Sequence, residues 1–294
     1  MSAESIETKA NGLLGRVLGH SDNRIEFGTL TCSIYDTAWV GMVSKRVADF
    51  EQWLFPCSFM YVLRAQSQSG AWPAHLDEDC SKDSDTILST LAGLKCLIEH
   101  QKRPLQLQHL QGSGLDQRIE KAAKSLDVLL NNWDPDACMA VGFEVLVPSH
   151  LDLLEADGFK FSFDRKHSLL EARNQKFSRI PPEVLYGRSP VALLHSLEAF
   201  FGTQEFDYDR VAHQKVKGSM MASPSATAAY LIRASNWDDE AEAYLRLAIS
   251  NGEGLCSGGV PSAFPSSSFE MLWVGLFVTC EGSTDKAYRL SQHY

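Results

Sequence analysis

Tyr35, Asp36, Thr37 and Trp39 fall within five positions of the segment SIYDTAWVGM, residues 33–42. Two large aromatics around a carboxylate and a hydroxyl are an odd mix for a solvent-facing helix. An aspartate before Thr-Ala-Trp suits a helix N-terminus or a buried hydrogen-bond network, so Asp36 reads as holding the fold rather than reacting. Further on, Gln66-Ser-Gln-Ser-Gly70-Ala-Trp72 puts a flat amide where it can stack on an indole, with Gly70 permitting the close turn. His195 lies among Val191, Leu194, Leu197, Phe200 and Phe201, so its imidazole is expected to be buried. A buried imidazole needs a partner, because an unpaired polar group costs roughly 1–3 kcal/mol. On its own it reads as a core histidine bonded to a carbonyl. Glu144, between Gly142-Phe143 and an apolar run, reads as a carboxylate capping or solvated beside a short strand. Lys176 and Arg179 read as two cations at a helix end, where the dipole favours them. Trp39, Trp72 and Trp273 could offer π-faces to a cation, Trp72 more as the stacking partner of Gln66 or Gln68. No HExxH, CxxC, GxSxG or P-loop pattern occurs.

The elements that must position these groups read as helices nearly everywhere. Over residues 84–100, Ile87, Leu88, Leu91, Leu94, Leu97 and Ile98 share one face at 3.6 periodicity, with Asp83 or Ser84 as cap. Residues 115–133 repeat the pattern through Ile119, Ala122, Leu126, Leu129 and Leu130. Further helices are expected over 5–18, 190–201, 223–234, 238–250 and 268–280. Strand-like alternation is scarce, with residues 143–147 the best case. The class is all-α. A faint repeat pairs Gln66-x-x-x-Gly70 with Gln214-x-x-x-Gly218, each followed by a Ser/Thr-rich helix start. Stacked helical hairpins and a helical toroid, or α/α-barrel, are the architecture it favours.

Composition narrows the function. At 294 residues the chain is long enough for one large core, and 44% hydrophobic with 22% charged residues is ordinary for a globular protein. A net charge of −10 argues against nucleic acid or an anionic membrane as main partner. Any site for an anionic ligand must then be locally basic or use a metal. Seven cysteines at unpatterned spacings, no membrane-spanning run and no secretory leader point to reduced thiols and a cytoplasmic protein.

Taken in order, the two opening motifs and a series of later runs resemble the class II diterpene cyclases of the copalyl diphosphate synthase and ent-kaurene synthase type, with the fungal enzymes the nearest analogue. The later runs are Phe55-Pro-Cys-Ser-Phe59, Asp85-Thr-Ile-Leu-Ser-Thr-Leu91, Val141-Gly-Phe-Glu-Val-Leu-Val-Pro-Ser149, Arg179-Ile-Pro181, Leu193-Leu-His-Ser-Leu-Glu198, Ser223-Pro-Ser-Ala-Thr227, Gly258-Gly-Val-Pro261 and Phe269-Glu270 with Trp273. The resemblance implies an α/α-toroid of the family's γ type within an incomplete βγ assembly. Residues 1–24 would carry a helix of the β domain, 25–280 the γ-like domain and 281–294 a divergent tail.

The resemblance also implies roles. The family cyclises geranylgeranyl diphosphate to a copalyl diphosphate: an aspartic acid protonates the terminal alkene and a base removes a proton from the cyclised cation. Here His195 matches the deprotonating histidine, and Ser262 stands where plant relatives have its asparagine partner. Lys176 and Arg179 match a basic stretch that meets the diphosphate. Glu144 matches a Mg²⁺ contact, a sensible role for a carboxylate bridging to phosphate through a hard cation. The family's acid motif, Asp-x-Asp-Asp, is absent: Asp77-Glu-Asp79, Asp83-Ser-Asp85 and Asp134-Pro-Asp136 do not continue to it. The expectation is therefore a chain inactive alone, associating with itself through the surface a β domain would cover. Asp238-Asp-Glu-Ala-Glu242 mimics the class I DDxxE motif but reads as a helix start. The competing readings are a non-catalytic helical binding or regulatory module and another toroid enzyme such as a triterpene cyclase.

Overall fold

A computed structural model describes residues 31–73, 84–110, 114–137, 142–202, 206–251 and 257–266. Residues 31–263 form one compact unit; of a second, made from residues 1–30 and 264–294, only 264–266 are described. The expected helices over 5–18 and 268–280, Trp273 and the tail therefore lie outside the described residues.

The first unit is mostly helical and is organised around a short buried helix, α1 (Ile34–Gly41). Ser33 caps it by accepting the Asp36 N–H at 3.2 Å, and Asp36 to Gly41 are all buried. A helix apolar on every side must be covered on every side. Three helices pack on it: α2 (Pro56–Ala65), α3 (Ser84–Lys102) and α8 (Pro224–Arg233). Two antiparallel pairs flank it. Strand β1 (Cys32–Ser33) pairs with β4 (Val260–Pro261), Ser33 facing Val260, while β2 (Ser44–Val47) and β3 (Phe50–Trp53) form a hairpin.

Helix α3 then carries α4 (Leu115–Asn132) and α5 (Phe143–Ala156). In α4 the expected stripe of Ile119, Ala122, Leu126, Leu129 and Leu130 is the buried face. The strand expected over residues 143–147 is instead the start of α5. Val145 to Leu151, Leu153 and Leu154 are all buried, so the segment is covered on every side, and five residues of sequence are too few to separate a helical period from alternation. After α6 (Lys166–Ser178) and a short α7 (Pro182–Leu185), the helix expected over 190–201 is a 3₁₀ segment, Ala192–Phe200, broken at Ser196. Its buried Leu194, Leu197 and Phe200 recur every third residue, the eclipsed spacing of a 3₁₀ helix. Helices α8 and α9 (Asp239–Ser250) begin on side-chain caps, Ser223 and Asp238. Asp238 thus spends an oxygen on the Glu240 and Ala241 N–H groups, as a helix start requires.

Both copies of the Gln-x-x-x-Gly pattern end in a left-handed glycine pressed on a helix. A Cβ on Gly70 would sit 2.4 Å from the Lys121 backbone of α4, and one on Gly218 would sit 2.2 Å from the Glu240 carbonyl of α9. The glutamines differ: Gln66 donates to the Gly70 and Arg118 carbonyls, Gln214 to those of Leu185 and Gly187. Among the described residues the elements close no barrel.

Candidate functional site

Two groups of the sequence-predicted residues are brought together, and they lie on different elements. One gathers at the N-terminal end of α1. The other spans the start of α5 and the end of α6.

At α1, the Tyr35 hydroxyl donates to Glu198 Oε1 at 2.9 Å, and the Ser225 hydroxyl donates to the same oxygen at 3.2 Å. The Ser225 N–H donates to Asp36 Oδ1 at 3.2 Å. Thr37 donates to the Ser33 carbonyl at 2.6 Å and accepts the Val260 N–H at 3.0 Å, fastening β4 to the helix. Asp36 and Glu198 are thus two buried carboxyls in one network, with no cationic side chain of the described residues bonded to either. Burial pushes Asp36 up to about 6, against bonds from Ser33 and Ser225 that pull it down. Burial pushes Glu198 up to about 8, and the Asp36 charge adds to it. Glu198 Oε2 is buried without a hydrogen-bond partner, the place where a carboxylic acid keeps its proton. Tyr35 is likewise driven well above the ordinary phenol range by burial and by Glu198. Sequence pattern places Glu198 within a motif and assigns it no role; an acid followed by Ala199, Phe200 and Phe201 is the signal that could have marked it.

His195 is on the outside of this network, exposed rather than buried as its apolar neighbours in sequence predict. It lies beside the break at Ser196, between Leu194 and Leu197, which stay inside. Its Nδ1–H donates to the Met221 carbonyl at 2.9 Å, which in the neutral ring makes Nε2 the acceptor. It is near enough for its charge to act on Asp36. Ser262, also exposed, follows β4, whose Pro261 pairs with Cys32 at the entry to α1. No hydrogen bond joins His195 to Ser262 among the described residues.

Trp39 and Trp72 are core residues, 1% and 0% exposed. Trp39 Nε1–H donates to His150 Nε2 at 3.1 Å, and His150 Nδ1–H donates to the Leu146 carbonyl. Burial pulls His150 down to about 4, so it stays neutral; no sequence pattern singles it out. Trp72 donates to the Val62 carbonyl at 2.8 Å. Neither indole presents a free π-face.

In the second group, Glu144 sits in the first turn of α5. Its Oε2 accepts the Gly142 N–H at 2.9 Å, and its Oε1 is ion-paired with Lys176 from the last turn of α6. Burial raises its pKa, but the Lys176 bond and the backbone N–H groups outweigh that and hold it below the usual carboxylate value. Arg179, the residue after α6, is exposed. These residues do not fit a Mg²⁺ held by the protein. Glu144 brings one carboxylate whose oxygens are taken by a lysine and an amide, and among the described residues no cluster of three or more His, Cys, Asp or Glu could hold a metal.

Against known proteins, no family profile matches the chain. It is 44% identical over 273 residues to a copalyl diphosphate synthase of Talaromyces verruculosus, covering 93% of this chain and 28% of that one. It is 47% identical over 250 residues to a phyllocladan-16-alpha-ol synthase of Phomopsis amygdali, covering 84% and 24%. The chain is a relative of the class II diterpene cyclases. Its structure agrees: ent-copalyl diphosphate synthase from Arabidopsis thaliana superposes with a TM-score of 0.68 at 25% identity, over 98% of this chain and 39% of that one. The all-α class follows that of these cyclases, and the chain spans about a quarter of the length of the curated relatives it matches. No helix among the described residues is long and apolar enough to cross a membrane.

Proposed function

We propose that this chain serves a diterpene cyclase of the copalyl diphosphate synthase type, with geranylgeranyl diphosphate as substrate, and that it supplies the diphosphate contact and the final base. The observation that carries this reading is the 44% identity to a copalyl diphosphate synthase across 93% of the chain. Lys176 and Arg179 are the diphosphate contacts, a pair of cations three residues apart on an otherwise acidic protein. His195 Nε2 takes the proton that leaves the cyclised cation. The C–H bond breaks, its electrons become the new alkene, and the proton ends on Nε2 while Nδ1–H stays bonded to Met221. Ser262 stands in the partner's place, at the same end of α1. No step of this reading runs through a metal held by Glu144.

The proton that starts cyclisation has no donor among these residues. Glu198 and Asp36 are buried in the network at the start of α1, and no Asp-x-Asp-Asp occurs in the sequence. The chain by itself therefore binds substrate without cyclising it. A cytoplasmic setting agrees with Cys57 and Cys96 being thiols outside any disulfide among the described residues. The test is calorimetric titration with geranylgeranyl diphosphate, alongside incubation and product analysis after dephosphorylation. Binding weakened by Lys176→Ala and Arg179→Ala, with no bicyclic product, supports the reading. Binding indifferent to both substitutions overturns it.

A further inference from the structure

The stretch from Val216 to Ser223 contains an unusual backbone. Val216 and Ser219 exchange both backbone hydrogen bonds at 3.0 Å around Lys217 (φ 50°) and Gly218 (φ 79°). Immediately afterwards Met220 pairs with Ser223 around Met221 (φ 51°) and Ala222 (φ 57°), with the Ser223 N–H donating to the Met220 carbonyl at 3.0 Å. Both are tight turns with two left-handed central residues, a geometry that Gly, Asn and Asp normally fill. The first turn has its glycine. The second has none, and a side chain with a Cβ is disfavoured at each of its two central positions.

Such strain persists only where the surroundings hold it. Here they do. The Met220 N–H donates to Thr227 Oγ1 at 2.9 Å, and the Ala222 N–H donates to Ser219 Oγ at 3.2 Å. Thr227 is itself fixed by donating to the Ser223 carbonyl at 2.7 Å within the first turn of α8. The turn is thus tied to a buried helix on one side and to its own neighbour on the other. Its left-handed residue Met221 presents its carbonyl to Nδ1 of His195.

We propose that the Met221–Ala222 turn is a positioning device for His195: its carbonyl pins the proton on Nδ1 and so reserves Nε2 as the proton acceptor. This rests on His195 being the base of the proposed reaction. A ring nitrogen's protonation is set by the bond its partner nitrogen makes, and a carbonyl can only accept. An exposed imidazole with no such tether would exchange its proton between nitrogens and rotate. Either motion would put an N–H, which cannot take a proton, where a base is needed. Met221, Ser219 and Thr227 touch no reacting atom in this account. They act through the histidine.

The experiment is tautomer assignment by long-range ¹H–¹⁵N correlation on the full chain labelled at histidine, with His195→Gln identifying the His195 signals. For the neutral ring the expected spectrum has Nδ1 protonated and Nε2 bare. Thr227→Val removes the acceptor for the Met220 N–H at nearly constant shape, and should convert that pattern to a mixture, while Thr227→Ser should restore it. His150 and His100 are internal controls. They are fixed by the Leu146 and Gly41 carbonyls, and loss of fold would move them whereas loss of positioning would not. Should Thr227→Val perturb those controls, Ser219→Ala releases the turn from its other side and is read in the same way. A parent spectrum with Nε2 protonated, or variants that keep the controls and leave His195 unchanged, overturns the proposal. Because the readout is a proton's position and not turnover, it fails separately from the cyclase reading, which the substrate titration tests.

Discussion

Replacing Glu198 by glutamine should change the pH dependence of stability and reverse its sign across the range. Burial holds the Glu198 carboxyl at about 8 in the folded chain, against 4.5 ordinarily, and holds Asp36 at about 6 against 3.8. A carboxyl whose pKa rises on folding binds its proton more tightly in the folded state. Its contribution is therefore complete below the ordinary value and is lost as the pH climbs through the folded one, here between roughly pH 4.5 and 8. One extra bound proton is worth about 1.4 kcal/mol per pH step, so the Glu198 window amounts to at most roughly 4–5 kcal/mol. Glutamine keeps the shape and has no proton to lose. Its amide N–H₂ brings one more donor than the acid's O–H to the buried position where Oε2 has no partner, and that extra unpaired N–H costs about 1–3 kcal/mol. The variant should be the less stable protein near pH 5, by on the order of 1–2 kcal/mol, and the more stable one near pH 8.5, by roughly 2 kcal/mol. Urea titrations at both ends of the range measure this. Two curves that stay parallel would mean Glu198 keeps the same proton occupancy folded and unfolded, and the account of the buried pair would fall.

Other outcomes follow from single contacts. Gly218→Ala should destabilise by at least about 2 kcal/mol, because φ is 79° and the new Cβ meets the Glu240 carbonyl at 2.2 Å. Gly158→Ala has φ 93° but nothing within 4 Å, so it should cost only about 1 kcal/mol; equal losses in thermal melts would contradict the close-approach argument. Trp39→Phe should cost on the order of 1–3 kcal/mol by leaving His150 Nε2 buried without its donor, and a melt unchanged from the parent would refute that.

Much of this molecule is legible in its sequence because long amphipathic patterns are redundant. The stripe of α4 from Ile119 to Leu130 repeats over about three turns, and the capping residues Ser223 and Asp238 mark the starts of two more helices by residue type alone. Short segments are not legible in this way. Residues 143–147 fit two periods equally well, and only the length of the apolar run behind them decides for a helix. The break at Ser196 has no residue signature, since serine fits a helix, a cap or a kink, and the three-residue spacing of buried Leu194 and Leu197 around it leaves His195 outside. Glu198 is hidden for a different reason. Apolar periodicity scores which residues are buried but not which buried acid keeps its proton, and that depends on Tyr35 and Ser225 arriving from distant parts of the chain.

Glu144 allows the sharpest choice between two ideas, because they predict opposite signs. A carboxylate that holds a bridging Mg²⁺ strengthens diphosphate binding, and Glu144→Gln would weaken it. The observed carboxylate instead occupies the Lys176 ammonium, which a diphosphate must share or take over. On that geometry Glu144 is a counterion that competes with any diphosphate for the lysine, and Glu144→Gln frees the lysine. The pair is partly exposed, with 39% of the Lys176 and 23% of the Glu144 side chain open to solvent, so breaking it costs only about 0–1 kcal/mol. The gain in affinity is accordingly about 2–5-fold, read by titration with a diphosphate-bearing ligand. Without Lys176 the effect should vanish, so Lys176→Ala and the double variant should bind alike. The free chain should also give no saturable heat with Mg²⁺ alone. Weaker diphosphate binding by Glu144→Gln, or a Mg²⁺ isotherm that this substitution abolishes, would make Glu144 a metal ligand after all.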